Sequence, residues 1–451
     1  MTLFLYDSFT REKSAFTPQD PDHVTVYSCG PTVYAPPHIG NARAGVVADT
    51  LVRVLRDHYG SKHVQFARNF TDIDDKIMKA AKEEGVEIDV ITARATKAYL
   101  EGLDALGCER PDDAPRATEH IPAMQDLVGT LLKKGHAYGA EGHVLFDIES
   151  FPQYGGLSGL DRDAIIAGAR VEVAPYKRDP ADFVLWKPSD DDEPGWEAPG
   201  DWPIEGRGRP GWHLECSAMI KKVLGDTIDI HLGGQDLRFP HHENEIAQSC
   251  CASHTGDVPL ARYWVHNGML RMGDEKMSKS LGNIVTPQEL LPHWPGEVIR
   301  FALLSAQYRQ PLEWSEDLLK SSKAQLDRFY RLLETAKEGG EVAPAVKKAL
   351  HDDLNTPQAM AALHELREAG DADALLASGR LIGLFGMSSE QWFHQAHLGD
   401  LTVDEIEELI AQRQAARESK DFAKSDQIRD DLAAKGVILE DSPEGVTWRR
   451  E

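Results

Sequence analysis

The stretch FPHHENEIAQ, Phe239 to Gln248, brings two histidines and two glutamates side by side before the chain turns apolar. On a helix, His241 and Glu245 stand four apart and leave the same face. That is the spacing of metal ligands. His242, three before Glu245, is an alternative that spacing leaves open. The thiols available to join them are Cys29, Cys108, Cys216, Cys250 and Cys251. Cys250 and Cys251 are adjacent and point apart, so they do not share an ion. A set of two thiolates, an imidazole and a carboxylate suits zinc, which takes all three donor types tetrahedrally. The cysteines are scattered, and each can equally be a small core residue.

Three loops have the makings of a nucleotide site. GPTVYAPPHIGNARAG, Gly30 to Gly45, lies between a strand-like and a helix-like segment, which points helix N-terminal amides at a phosphate. His38 could donate to a phosphate oxygen there, and Gly40 would let a ligand approach the backbone. HLGGQD, His231 to Asp236, follows an apolar run. Its glycines, Gly233 and Gly234, permit close approach, and Asp236 could accept from ribose hydroxyls. EKMSKSLGN, Glu275 to Asn283, sets Lys276 and Lys279 three apart. Flexible ammonium groups suit the charge that builds on a leaving pyrophosphate. Each loop also has a plainer reading, as a glycine-rich connector or a solvated turn.

The elements that must position these residues alternate. HVTVYSCG (23–30) reads as a strand, ARAGVVADTLVRVLRDHYG (42–60) as a helix, HVQFARNFTDIDD (63–75) as a strand, and 76–106 as mostly helix. This order opens a Rossmann-like, doubly wound parallel sheet, an α/β fold. Residues 1–114 and 211–275 are expected to form that catalytic domain, split by an inserted subdomain at 115–210 rich in Gly, Pro, Trp and Asp. A loop and stem-contact region is expected at 276–314 and an all-α bundle at 315–390. A small α+β domain, two helices and a hairpin, is expected at 400–451.

The net charge of −25 argues against nucleic acid taken alone, because phosphate backbones reward clustered Lys and Arg. A nucleic-acid partner would have to meet a local surface. Lys320, Lys323 and Arg331 share a helical face, which reads equally as a solvated surface. Five cysteines and no export signal imply a reducing cytoplasm and no disulfide framework, and no segment reaches membrane-spanning length.

HIGN and KMSKS, in that order, resemble the signatures of class I aminoacyl-tRNA synthetases. KMSKS is complete, whereas HIGN carries Asn41 where the family has a second histidine. YSCGPTVY, NFTDIDDK, RATEHI, GWHLECSAM, FPHHENEIAQS and KMSKSLGN together resemble the cysteinyl-tRNA synthetase family along nearly the whole chain. The resemblance implies one zinc ion per chain on Cys29, Cys216, His241 and Glu245. It implies catalytic roles for His38, Asn41, Lys276 and Lys279. It places ATP at His38, Gly40, Asn41, His231, Gly233, Asp236 and Lys279. It places L-cysteine at Gly30, Thr32, Thr71 and Trp212, and anticodon contacts at Arg417, Asp426 and Asp441. The expected reaction is formation of cysteinyl-adenylate from ATP, accompanied by Mg²⁺, with release of pyrophosphate. Transfer to the 3′ adenosine of tRNA(Cys) follows, by a cytoplasmic monomer with no obligate protein partner. Zinc is expected to select the substrate thiol, so that no editing domain is needed.

Two rivals share parts of this pattern. A cysteine-adenylating ligase acting on an amino-sugar acceptor (mycothiol-type) would carry the same core but lack the unit at 400–451. A non-catalytic nucleotide- and zinc-binding protein would have no pyrophosphate to expel, and so no use for both KMSKS lysines.

Overall fold

The computed structural model describes the chain except residues 169–173, 254–258, 274, 277–284, 395–402, 443–444 and 451. A short antiparallel hairpin, β1 (Phe4–Asp7) with β2 (Glu12–Ala15), leads into β3 (Val24–Ser28). All five residues of VTVYS in β3 are buried, as alternating β-branched residues in a strand covered on both faces should be. Helix α1 (Ile39–Tyr59) crosses over to β4 (Val64–Arg68), and α2 (Asp75–Glu84) and α3 (Ile88–Ala105) follow. After α4 (Ile121–Lys134) comes a separate antiparallel sheet, which holds α5 (Arg162–Gly168) in one of its connections. Its strands are β5 (Ala137–Ala140), β6 (His143–Phe146), β7 (Phe183–Pro188), β8 (Trp196–Glu197) and β9 (Arg207–Pro210), in the order β5-β6-β7-β9-β8.

Helix α6 (Trp212–Val223) returns the chain to the first sheet, where β10 (Ile228–Gly234), α7 (Glu243–Ala252) and β11 (Ala261–Asn267) complete it. The order is β11-β10-β3-β4, and every pairing is parallel. The chain runs outward from β3 to β4, then reverses to β10 on the other side. The carboxyl ends of β3 and β10 therefore flank the switch point where open α/β sheets bind ligands.

Strands β12 (Leu270–Met272), β13 (Glu275–Lys276) and β14 (Leu312–Glu313) form a small sheet around α8 (Pro287–Leu290) and α9 (Gly296–Leu304). Helices α10 (Glu316–Leu333), α11 (Pro344–Leu350), α12 (Thr356–Ala369), α13 (Ala372–Leu381) and α14 (Ser389–Phe393) make the helical part. The last unit is α15 (Val403–Glu418), α16 (Phe422–Ala434) and the hairpin β15 (Val437–Ser442) with β16 (Gly445–Arg450). It has its own core of Ile406, Ile428, Leu432, Val437 and Trp448. Among the described residues no helix is long and apolar enough to cross a membrane.

The parallel sheet divides two cores by the strand alternation. Val24 and Val26 of β3, Ile230 and Leu232 of β10, and Val265 of β11 face α1 and the helical part. Tyr27 of β3 and Trp264 of β11 face α4, α6, α7 and the inserted sheet. In register, His231 lies between Tyr27 and Trp264. It is therefore on the second face, the one on which α6 and α7 pack.

Candidate active site and metal centre

Cys29 is the residue after β3, tied to β10 by its N–H to the Leu232 carbonyl at 3.1 Å. Cys216 comes from α6, His241 from the helical turn 238–242, and Glu245 from the first turn of α7. Their donor atoms all lie within 4.8 Å of one another. The two sulfurs are 3.7 Å apart, Cys29 Sγ is 3.6 Å from Glu245 Oε1, and that oxygen is 3.0 Å from His241 Nε2. Zinc bonds of about 2.3 Å to sulfur and about 2.0 Å to nitrogen or oxygen give tetrahedral edges of roughly 3.8, 3.5 and 3.3 Å for these pairs. The donor types and the observed edges both fit one tetrahedral ion.

The charges fit as well. The Cys29 hydrogen bond pulls the Cys216 thiol down to about 6, while burial pushes Cys29 up. Burial alone would neutralise both Glu245 and His241. Yet His231 and His241 hold the carboxyl well below its usual range, and Glu245 with Cys216 lifts His241 to about 10. A buried nest of anionic donors balanced by protons is what a divalent cation replaces, releasing those protons.

Three more imidazoles, of His231, His242 and His266, pack around these donors. His231 Nε2 meets the other Glu245 oxygen at 2.8 Å and stacks on Trp264. His242 Nε2 lies 3.3 Å from Cys29 Sγ, and its Nδ1 is 2.8 Å from His266 Nε2. Cys29, His231, His242 and Glu245 thus form a second donor group sharing two members with the first. Burial keeps His242 and His266 neutral, His266 down to about 3. His231 was expected at the nucleotide; the structure places it fully buried beside Glu245. His266 and the Tyr27–His231–Trp264 row went unread in the sequence. They sit in strands whose alternation signals only burial.

Beside the metal pocket, the Trp212 ring stacks on His241 with centroids 4.4 Å apart. Thr32 and Thr71 pair as an isolated parallel bridge that extends β3 and β4. Gly30 donates to Asn69 Oδ1 at 2.8 Å, and a Cβ on Gly30 would lie 1.6 Å from the Asn69 carbonyl oxygen, so no other residue fits there. The structure sets Gly30 next to Cys29, Trp212 on His241 and Thr32 against Thr71. It adds Glu215, fully buried next to Cys216, whose Oε2 has no hydrogen-bond partner among the described residues.

The first nucleotide loop ends in a helix cap. His38 is the N-cap of α1, and its Nδ1 accepts from the Asn41 N–H at 3.2 Å, while Asn41 Oδ1 accepts from the His38 N–H at 3.1 Å. This reciprocal box makes Nδ1 an acceptor, which puts the proton of a neutral ring on Nε2. It starts α1 at Ile39, ahead of the periodicity that begins at residue 42. A Cβ on Gly40 would meet the His38 ring at 2.8 Å, so the glycine makes room for the histidine itself. Gly233 is similarly required by the His242 ring, 2.5 Å from its would-be Cβ. Asp236 is exposed at the end of β10. The backbone of Lys276 lies in β13, and Lys279 falls outside the described residues.

Farther away, Arg417 is exposed in the last turn of α15, and Asp426 on α16 pairs with Arg429 at 3.2 Å. Asp441 lies in β15, with its side chain outside the described residues. Lys320 and Lys323 are paired with Glu316 and Asp327 on their own helix, which takes most of the net charge from that face.

Residues 15–324 match the family model described as the tRNA synthetases class I (C) catalytic domain. Residues 400–449 match the cysteinyl-tRNA ligase anticodon binding domain, and 345–374 a DALR domain. The cysteine–tRNA ligase of Parvibaculum lavamentivorans is 54% identical, over 100% of this chain and 98% of its own. That of Caulobacter vibrioides is 54% identical, over 100% and 99%. Among solved structures, Mycobacterium tuberculosis methionyl-tRNA synthetase bound by methionyl-adenylate superimposes with a TM-score of 0.55 at 17% identity, covering 80% of this chain and 90% of that one. The LeuRS–tRNA–LeuAMS ternary complex of Agrobacterium radiobacter gives 0.55 at 13% identity, covering 82% and 83%. These two show a shared class I fold. With a catalytic family model over more than half its length and relatives at 54% identity from end to end, the chain belongs to the cysteine–tRNA ligase family of class I tRNA synthetases.

Proposed function

We propose that the chain joins L-cysteine to the α-phosphate of ATP, releases pyrophosphate, and passes the cysteinyl group to the 3′ adenosine of tRNA(Cys). The observation that carries this reading is the convergence of Cys29, Cys216, His241 and Glu245 beside Trp212, at the same switch point that receives the N-terminus of α1. A zinc ion on those four ligands would supply a soft cation that prefers a thiolate to a hydroxyl.

The protein's own groups do the rest. Gly30, Thr32, Thr71 and Trp212 close the pocket around the amino acid. His38 Nε2 and the first amides of α1 face the α-phosphate and stabilise charge in the attack of the carboxylate. Asp236, exposed past the end of β10, accepts from the ribose of the nucleotide. Lys276 and Lys279 neutralise the departing pyrophosphate, which travels with Mg²⁺. No side-chain nucleophile is required, because in-line positioning and electrostatics supply the rate. Arg417, Asp426 and Asp441 read anticodon bases, where carboxylates accept from base amino groups. This lets an acidic chain recognise RNA without a strongly basic surface. The C-terminal match to a cysteinyl anticodon-binding unit favours tRNA as acceptor over an amino sugar.

The test is charging of bulk tRNA with labelled cysteine or labelled serine, before and after chelation. Cysteine but not serine on tRNA, with selectivity lost on chelation, is expected. Cysteine-dependent pyrophosphate exchange without charged tRNA would move the assignment to the non-tRNA ligase. A metal-free enzyme that still prefers cysteine would remove the role given to zinc.

A further inference from the structure

Two residues past Asn41, α1 buries a guanidinium. Arg43 is completely inaccessible to solvent. Its Nη1 donates to the carbonyls of Gly268 and Met269 at 2.7 and 3.0 Å, and its Nη2 to those of Gln310 and Tyr308 at 2.7 and 3.4 Å. Among the described residues it has no carboxylate partner. Burial lowers it only to about 10, so it remains charged.

The four carbonyls belong to two chain segments that are themselves joined. Gly268 N–H reaches Tyr308 O at 2.8 Å, Leu312 N–H reaches Met269 O at 3.1 Å, and β12 pairs with β14 in parallel. β12 also pairs with β13, in a register that sets Arg271 opposite Lys276. A second bond comes from the helix start itself, where Ile39 N–H donates to Val285 O at 2.8 Å. The first turns of α1, which carry His38 and Asn41, are thus fastened to the backbone that carries Lys276.

Stability alone does not call for this arginine. The same helix packs Val46, Val47 and Leu51 into the core, and an apolar residue would avoid the desolvation of an unpaired charge. What four fixed carbonyls and a planar fork supply is geometry. We propose that Arg43 is a positioning residue for adenylate formation. It holds the His38–Asn41 turn at a set distance from the β12–β13 strand pair, and so holds ATP in line for attack. This rests on the nucleotide role given above to α1.

The experiment is cysteine-dependent pyrophosphate exchange by the full-length, metal-loaded Arg43→Met and Arg43→Lys variants, with metal content and thermal unfolding measured alongside. Misplacement of reacting groups predicts a kcat lower by roughly ten- to hundredfold in Arg43→Met. The KM for cysteine and the bound metal should stay at parental values, because the metal pocket is built on the other face of the sheet. Arg43→Lys, which keeps the charge and reaches fewer carbonyls, should recover part of kcat. Should Arg43→Met fail to fold, Gly268→Ala tests the same joint from the other side. Its Cβ would lie 2.5 Å from Gln310 O. It should lower kcat and spare the KM for cysteine. A folded variant with parental kcat, or one in which kcat and cysteine KM worsen together, overturns the proposal. Absence of exchange in the parent protein would instead sink the proposed function, leaving the geometry of Arg43 untouched.

Discussion

The metal pocket and the knot around Arg300 are both largely buried and both charged, yet they are built on opposite rules. At the knot, every guanidinium nitrogen of Arg300 finds an acceptor. Arg300 Nε reaches Ile382 O at 2.8 Å and Nη1 reaches Leu106 O at 3.1 Å, while Nη2 meets Asp49. Asp49 also accepts from the Glu109 N–H at 2.7 Å and from Arg53 Nε at 2.8 Å. In the pocket, two thiols, a carboxylate and several imidazoles crowd one point. A satisfied knot fixes α1 against α13 and the turn after α3. A crowd of donors converging on one point is the arrangement a cation site requires. Buried charge by itself does not distinguish scaffold from function; whether partners are matched or competing does.

The comparison can be broken most forcefully at the knot. Arg300→Met leaves Asp49 buried without its main partner and should cost about 3–5 kcal/mol in urea unfolding. A loss below about 1 kcal/mol would mean the knot is not structural. The pocket should behave oppositely. Cys216→Ala should leave metal-free stability within about 2 kcal/mol of the parent, yet abolish metal retention on a desalting column. Retained metal would transfer the site to the second donor group, Cys29, His231, His242 and Glu245. A smaller effect is expected from His231→Asn, which removes the hold on the outer Glu245 oxygen. Competition with a chelator should show metal affinity falling about ten- to a hundredfold. The smallest effect sharpens the knot by pH. Burial raises the Asp49 carboxyl, but Arg300 and Arg53 outweigh it and hold it below its ordinary value. Its stabilising contribution is then full above about pH 4 and fades as acid titrates the folded form. The stability gap between parent and Asp49→Asn should accordingly narrow below about pH 4, and a constant gap would show that the ion pair contributes nothing.

Much of the fold could be read along the chain because its signals are local. The alternation in HVTVYS and TIDIHL marks strands, and the periodicity after residue 42 marks α1. The start of α1 was less legible. The His38–Asn41 cap draws HIGN, which reads as loop, into the helix. In the metal site, spacing reached only the His241–Glu245 pair. Cys29 and Cys216 join it through sheet order and the packing of α6, which no short window contains. Resemblance supplied what spacing could not. Neither Arg43 nor Arg300 was anticipated, since an arginine in a helical run ordinarily signals a solvated face.

The helix that carries Glu245 has another attachment. Glu243, fully buried, accepts from the N–H groups of Gly155, Leu157 and Ser158 at 3.0, 3.4 and 2.7 Å, and Arg238 donates to Leu157 O. The inserted segment is thereby clamped to the turn that presents His241. In the order of synthesis this matters. Cys29 leaves the ribosome 216 residues before Glu245, with the whole inserted sheet between them. A nascent chain therefore cannot complete its metal site until that sheet has been made and docked, while the helical part and the C-terminal unit are still to come. Capture of the ion would join two positions 216 residues apart at that moment, so the gain in order from metal binding comes only after the inserted sheet exists.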